Sequence, residues 1–588
     1  MMPRFVLLAS LLLTSALPLA GARTSGPIVE KAGDMGVGRM VADQACTDLA
    51  GRTVRLSALS GSNGLVIAMS SATCPISKRY LPSLAALEKD LASRGLGLLL
   101  VNAMTGEKPE DIRAQLKEAG LTSPYCHDQD GVLAKALGAR TTAEVFLLDE
   151  RRTLRYRGAL DDQYGVDYSR EKPTRRYLAA ALDDLLARRP VAVGATSAPG
   201  CELDLKPGVG PVAAVTYHRD VARILQQNCV RCHHDHGIAP FPLDDLASVK
   251  DHAKTIRRVL AEGTMPPWFA APPKAGEPTP WANDCSLGAK DKADLLAWIE
   301  SKDRPLGDPS EAPAKLKFDG EWTIGKPDAI IPLSKAYAIK ATGVMPYQTD
   351  VVTTEFAEDK WVKAYEIIPT ARDVVHHVIV MVHPPGAKIV SGGAENYWAI
   401  YVPGNSARVF DDGVARKLPA GSRLSFQIHY TPSGKAVEER MRLGLVFAKE
   451  PPRLEMRTVG VAKPTLKIPP NTAEHVETKT QRVPVDLTVT SLLAHMHVRG
   501  KAFKYELVHA DGREELLLDI PHYDFNWQLR YDFKEPKVFP KGSSLRITAV
   551  YDNSAGNRAN PDPTKTVRWG QQTTDEMMIG YVEYVVRR

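Results

Sequence analysis

The placement of cysteine constrains this chain most tightly. Seven cysteines occur in 588 residues, and all of them lie at or before Cys285. Everything after Cys285 must fold on core packing alone, without sulfur cross-links. The odd count also excludes a uniform disulfide scaffold. The length suggests about four domains. With 44% hydrophobic and 24% charged residues, disorder over most of the chain is excluded. A net charge of +6 is too diffuse to point to nucleic acid as a partner.

The N-terminus predicts export. Arg4 precedes a mostly apolar run from Phe5 to Ala20, which ends in Ala20-Gly21-Ala22. A basic start, a short hydrophobic stretch and an A-x-A site form the pattern of a cleaved secretory signal over residues 1–22. The run breaks at Pro18 and is too short to span a bilayer comfortably. No later segment reaches about 18 uninterrupted apolar residues, so no membrane span is expected. The mature chain is expected in the periplasm or outside the cell, where its cysteines meet oxidising conditions.

Four folded segments follow. Residues 30–190 alternate strand-like and helix-like stretches, with Gly64 to Met69, Leu98 to Val101 and Val145 to Asp149 as strands and Tyr80 to Leu91 as an amphipathic helix. That alternation predicts an α/β sheet. Residues 191–212 are rich in Pro, Gly and Ala and read as a linker. Residues 213–310 carry helical apolar periodicity, for example His252 to Leu260. Residues 318–450 and 451–588 hold short alternating runs between turn residues, such as Arg423 to Tyr430, and predict two β-sandwiches.

Cys229-Val230-Arg231-Cys232-His233 is C-x-x-C-H, the attachment motif of a covalently bound haem c. Two thiols at this spacing reach the porphyrin vinyl groups, and His233 reaches the iron. Met265, followed by Pro266 and Pro267, is the candidate second axial ligand. A thioether there raises the potential and suits electron transfer. Together with Ile238-Ala239-Pro240-Phe241 and Asn283-Asp284, the segment resembles the cytochrome c domains of bacterial multidomain oxidoreductases.

Histidines cluster in the last two segments: His376-His377, His429, and His495-Met496-His497, followed near the C-terminus by Asp575-Glu576-Met577-Met578. On a strand, residues i and i+2 share a face, so His495 and His497 can grip one metal. Adjacent His376 and His377 point apart unless a bulge or a strand end intervenes. Imidazole with a soft thioether selects copper. With the Gly500-Lys501 that follows His497, these motifs make residues 318–588 similar to the type II, ascorbate-dependent copper monooxygenases, the family of peptidylglycine α-hydroxylating monooxygenase and dopamine β-monooxygenase. The resemblance implies two consecutive jelly-roll domains and two copper ions. It implies an electron-transfer copper on His376, His377 and His429, and an oxygen-activating copper on His495, His497 and Met577. Met578 is a near-equal alternative by position. The animal enzymes are disulfide-bonded, whereas this half has no cysteine. His383, His475 and His522 match nothing in the family.

Thr73-Cys74-Pro75-Ile76-Ser77 follows a strand and opens a helix, a setting that lowers a thiol pKa and makes Cys74 a candidate reactive thiol. With Asp128-Gln129-Asp130-Gly131 and Thr142 to Asp149, the segment resembles the redoxin branch of the thioredoxin fold. It departs from that pattern at Ser77 (no second thiol), at Ala143 (no proline) and at Ile67. Cys201 is a candidate distant partner, while Cys46, Cys126 and Cys285 read as buried free thiols.

The expected fold is therefore multidomain: α/β thioredoxin-like, then all-α cytochrome c, then two all-β jelly-roll sandwiches. The leading functional expectation is an exported copper monooxygenase that hydroxylates a C–H bond of a small-molecule or peptide substrate with O₂. Its electrons would come from an ascorbate-like reductant or a redox protein and pass through the fused haem. A periplasmic copper-binding or electron-transfer protein, and a thiol peroxidase with appended domains, fit the same residues.

Overall fold

The computed structural model of the chain describes residues 26–165, 168–203, 205, 214–235, 237–274, 277–318, 321–389 and 397–587. The secretory segment expected over 1–22 lies outside these residues.

Gly64–Met69 is buried at every position, which matches a continuous apolar run covered on both faces. It sits at the middle of a five-stranded sheet ordered Tyr125–His127, Leu96–Asn102, Gly64–Met69, Val145–Leu148 and Leu154–Gly158. The first three strands are parallel and the last two antiparallel. Helices Pro75–Ser93 and Tyr177–Leu186 pack into one core, and Val132–Leu137 into the core on the opposite face. The chain opens with a thioredoxin-like domain.

The stretch read as a linker over 191–212 begins inside this domain. Ala195 bridges Arg157, Thr196 bridges Val29 and Glu202 bridges Thr141. The fully buried Thr196 accepts the Ala159 amide at 3.0 Å. Pro, Gly and Ala announce irregular backbone, but irregular backbone can still hydrogen-bond along a sheet edge, and composition does not reveal that.

Helices Ala222–Asn228, Leu246–Asp251, Ala253–Glu262 and Ala289–Glu300 enclose a small core around Val221, Leu225, Ile256 and Trp298. The segment between the last two helices leaves this group for the C-terminal β region. Ala282 donates to the Asp532 carbonyl at 2.7 Å, Lys534 donates to Pro280 at 2.8 Å, and Trp281 bridges Phe533. Trp281 is 4% exposed and belongs to the β core of residues 451–588. Trp281→Ala is therefore expected to cost about 3–5 kcal/mol, read as a lowered denaturation midpoint of the β region. A loss confined to the helices would contradict this docking.

The remainder is largely β. One long sheet runs through both halves in the order Arg530–Phe539, Leu487–His495, Ile579–Arg587, Leu454–Ala462, Val414–Leu418, Lys360–Ile368, Arg442–Phe447 and Ala329–Pro332. A four-stranded sheet containing Val375–His383 and Arg423–Tyr430 faces one end of it, and another containing Gly500–Val508 and Ser544–Tyr551 faces the other. The two sandwiches expected from the sequence thus share a sheet, joined where Val414 pairs with Leu454. Across their junction runs a buried ionic network. Arg408 pairs with Asp532 at 2.8 Å, Arg416 with Glu583 at 3.0 Å, and Ser491 donates to Glu583 at 2.8 Å. Among the described residues, no helix is long and apolar enough to cross a membrane.

Candidate functional site

His376 and His377 lie on Val375–His383, which pairs with Arg423–Tyr430 so that His377 faces His429. The register shifts between Val375 and His377, the kind of irregularity that re-aims a side chain. As a result, ligand nitrogens of all three histidines lie within 4.8 Å of one another. The Nδ1 atoms of His376 and His377 are 3.1 Å apart, and His429 Nδ1 is buried with no partner among the described residues. Burial holds His377 well below the usual imidazole range, reinforced by its histidine neighbours, and brings His429 down to about 3. These rings are neutral near pH 7, and their lone pairs are available to a metal.

The opposite group comes from the C-terminal sandwich. His495 ends the strand Leu487–His495, and its ring centroid is 5.2 Å from that of His497. His497 Nδ1 faces the Asp575 carbonyl at 3.2 Å. A carbonyl only accepts, so Nδ1 carries the proton and Nε2 is left as the donor to a metal. That Nε2 is buried without a partner among the described residues. His495 Nδ1 donates to Gln528 Oε1 at 2.6 Å, which leaves Nε2 unprotonated. Met577 lines one pocket with His377, His495 and His497, whereas Met578 is wholly buried in the sandwich core. The His377 and His495 ring centroids are 6.2 Å apart, so both groups face a single pocket.

Sequence reasoning missed the residues that hold these groups in place. Phe525 stacks on His376 with ring centroids 4.5 Å apart, and Tyr347 lies 4.6 Å from His429. The buried Glu576 carboxylate accepts the amides of His497, Arg499 and Met577 at 2.8, 2.7 and 3.2 Å. Burial pushes Glu576 up to about 7 against those bonds and Arg499. The run Tyr523-Asp524-Phe525-Asn526-Trp527 alternates aromatic and polar residues as a strand would, yet it forms a loop, so its patterning gave no signal for this role. Gln528→Ala is expected to weaken any metal held by His495 and His497 by about 10–100-fold, measured by chelator competition with copper. Unchanged affinity would show that Gln528 does not orient His495. Two of the unmatched histidines have partners elsewhere: His383 bonds Ser425 Oγ at 2.7 Å and His475 bonds Glu477 at 3.0 Å.

In the first domain, Cys74 caps the helix Pro75–Ser93. The preceding turn is held by Glu107, a residue the sequence did not single out. Its carboxylate accepts the Ala72 and Thr73 amides at 2.6 and 2.9 Å. Burial opposes ionisation of Cys74, but the Thr142 hydroxyl, the Ser77 amide and Cys201 outweigh it and lower the pKa. The structure brings Cys201 beside Cys74: Cys201 pairs with Thr142, and the adjoining Ala143 packs against Cys74. It also brings Cys46 to Cys126, two thiols that the sequence left unrelated.

Cys229 follows the helix Ala222–Asn228, and the amides of Cys232 and His233 fold back onto its carbonyl at 3.1 and 3.0 Å. His233 Nδ1 donates to the Phe241 carbonyl at 3.0 Å, which leaves Nε2 unprotonated. Met265 follows Ala253–Glu262 with its amide on Val259. Its role as an axial ligand remains a sequence-based expectation.

Residues 37–157 match the AhpC/TSA family, and residues 455–587 match the copper type II ascorbate-dependent monooxygenase C-terminal domain. None of the curated proteins matches the chain. Among solved structures, an uncharacterized conserved protein from Geobacillus kaustophilus is 28% identical, covering 29% of this chain and 94% of its own, with a TM-score of 0.27. A hypothetical protein from Sinorhizobium meliloti 1021 is also 28% identical, covering 31% of this chain and 100% of its own, with a TM-score of 0.28. Peroxidoxin BcpB from Mycobacterium tuberculosis is 19% identical, covering 26% of this chain and 99% of its own, with a TM-score of 0.22. One chain thus carries an AhpC/TSA redoxin domain and a copper type II monooxygenase C-terminal domain, and the second implies copper and supports an oxidoreductase.

Proposed function

We propose that the chain is an exported copper monooxygenase that hydroxylates a C–H bond with O₂ and draws electrons through its own c-type haem. The observation that carries this reading is the single pocket faced by His377 of one histidine group and by His495, His497 and Met577 of the other. His376, His377 and His429 are the ligands of one copper, and His495, His497 and Met577 those of the second. Bound copper supplies the one-electron steps that O₂ needs to attack an unactivated C–H bond. The chain's own residues do the rest. Gln528 and the Asp575 carbonyl set the tautomers, Glu576 fixes the turn that presents His497 and Met577, and Phe525 and Tyr347 pack around the first group. Ile379, Ile579 and Tyr581 add apolar wall to the pocket, which suits a substrate presenting a hydrocarbon group.

Cys229 and Cys232 would anchor the haem covalently, and His233 and Met265 would ligate its iron, which would supply one-electron transfer. The C-x-x-C-H spacing and the hydrogen bond on His233 Nδ1 support this part. An ascorbate-like reductant or a redox protein is the outside donor. Residues 1–22 direct the chain to the periplasm or beyond, where haem attachment and copper loading take place.

Metal and haem quantification on exported, matured protein tests the reading, followed by O₂ uptake with candidate substrates. Two coppers and one haem per chain are expected. Zinc in the β region, or no metal there, would sink the copper assignment, and a haem-free product would sink the relay.

A further inference from the structure

Ser77 stands where a C-x-x-C pair would place its second thiol, so Cys74 has no partner on its own helix. The second thiol comes from beyond the AhpC/TSA match, which ends at residue 157. After the helix Tyr177–Leu186 the chain returns along the domain edge, and residues 199–203 lie against 140–142. Thr141 Oγ1 donates to the Pro199 carbonyl at 2.9 Å, the Thr142 amide donates to the Cys201 carbonyl at 3.0 Å, and the Leu203 amide donates to Arg140 at 2.9 Å. The Cys201 amide in turn donates to Thr142 Oγ1 at 3.0 Å. This short ladder fixes the register of Cys201. Gly200 permits the close approach: its φ is +123°, and a Cβ there would lie 2.9 Å from the Ala143 amide nitrogen.

The ladder brings Cys201 beside Cys74, because Thr142 pairs with Cys201 and the next residue, Ala143, packs against Cys74. The two differ in access. Cys74 is 2% exposed, whereas Cys201 is exposed to solvent. Cys74 also sits at the N-terminus of a long helix, where the backbone dipoles favour a thiolate. A buried nucleophile held against an exposed thiol is an arrangement for passing a disulfide inward.

We infer that Cys74 and Cys201 form a reversible dithiol–disulfide pair that oxidises by exchange with an exposed disulfide presented from solution. The Cys201 thiolate attacks one sulfur of the incoming disulfide, and the other sulfur leaves as a thiol after taking a proton. The Cys74 thiolate then attacks the Cys201 sulfur, and the second incoming sulfur leaves as a thiol. Two chain thiols become one disulfide, one incoming disulfide becomes two thiols, and both protons end on the leaving sulfurs. The pair is separate from the copper and haem chemistry and stands or falls without it.

The test uses the full chain, reduced and then exposed to oxidised glutathione, with free thiols alkylated before peptide mapping. Wild-type protein is expected to yield a cross-linked peptide pair containing Cys74 and Cys201, two hydrogens lighter than the separate peptides. Cys74→Ser is expected to accumulate a lasting glutathione adduct on Cys201, and Cys201→Ser to lose the oxidation of Cys74. A wild-type chain that keeps glutathione on Cys201 without the cross-link would overturn the inference. So would Cys74 oxidation at an undiminished rate in Cys201→Ser. The wild-type map decides the matter even where a variant folds poorly.

Discussion

Met577→Ile is expected to lower O₂-dependent turnover by about 100-fold or more, while His376, His377 and His429 keep their metal. Isoleucine has nearly the volume of methionine, so the pocket stays filled and the fold is little disturbed. What disappears is the only soft donor proposed for the second copper, and even indirect disturbances of a metal site typically cost 10–100-fold in affinity or activity. Copper per chain should fall toward one under chelator challenge, and product formation should fall with it. Met578→Ile is the internal control. Its side chain is wholly buried in the sandwich core, so it should change stability and leave copper binding alone. Turnover that survives in Met577→Ile would remove Met577 from the site. A protein that merely holds copper would show weakened binding with no catalytic loss to measure.

Glu583→Gln is expected to destabilise the β region by about 3–5 kcal/mol, the usual result of removing one partner from a buried ionic network. Arg408 and Arg416 come from one sandwich, while Glu583, Ser491, Arg530 and Asp532 come from the other. Glutamine keeps the shape but leaves Arg416 without its counter-charge, and leaves Arg408 and Arg530 to share Asp532 alone. Burial alone would raise the Glu583 pKa, but Arg408, Arg416, Arg530 and Ser491 overcome it and hold the carboxyl at about 2. Its value in the unfolded chain is near 4.5. A depressed carboxyl contributes stability above its unfolded pKa and loses that contribution as pH falls through its folded pKa. The wild-type midpoint should therefore drop between about pH 4.5 and 2, and the Gln variant should be flatter over that window. Equal midpoints at neutral pH, or parallel pH profiles, would show that the network does not join the sandwiches. Because the two histidine groups sit on opposite sandwiches, the variant should also lose activity before it unfolds.

Much of the fold was legible because it is written in local periodicity. The buried run at Gly64–Met69 and the alternation of Arg423–Tyr430 both appeared as expected strands. The expected helix from Tyr80 to Leu91 proved to be the middle of Pro75–Ser93, since proline at its first turn reads as a stop but is tolerated there. Between Lys537 and Tyr551 the alternation runs across parts of two strands, Arg530–Phe539 and Ser544–Tyr551. The turn Pro540 to Ser543 between them is short and easily overlooked. The histidines of the two clusters were all visible as motifs, but the residues that orient them were not. Gln528, Glu576 and Phe525 act through hydrogen bonds and ring contacts to partners tens of residues away, and a single Gln, Glu or Phe carries no mark of such a role.

The sequence by itself determined the kinds of element, the order of the segments and the residue types able to hold metal or carry thiol chemistry. Those depend on neighbours along the chain: period-two and helical patterning, the C-x-x-C-H spacing, a cysteine before a helix. The tertiary structure alone decided that His377 faces His495 across one pocket, that one sheet runs through both sandwiches, and that Trp281 belongs to a distant core. It also sorted the cysteines. Cys201 lies beside Cys74 and Cys46 packs in one core with Cys126, two pairings that no spacing rule announces; Cys229 and Cys232 share the C-x-x-C-H motif, and Cys285, expected to be buried, is exposed. The physical reason is the same in each case. Long-range contacts are set by strand register and by how apolar surfaces close on one another, and those choices are made collectively by the whole chain.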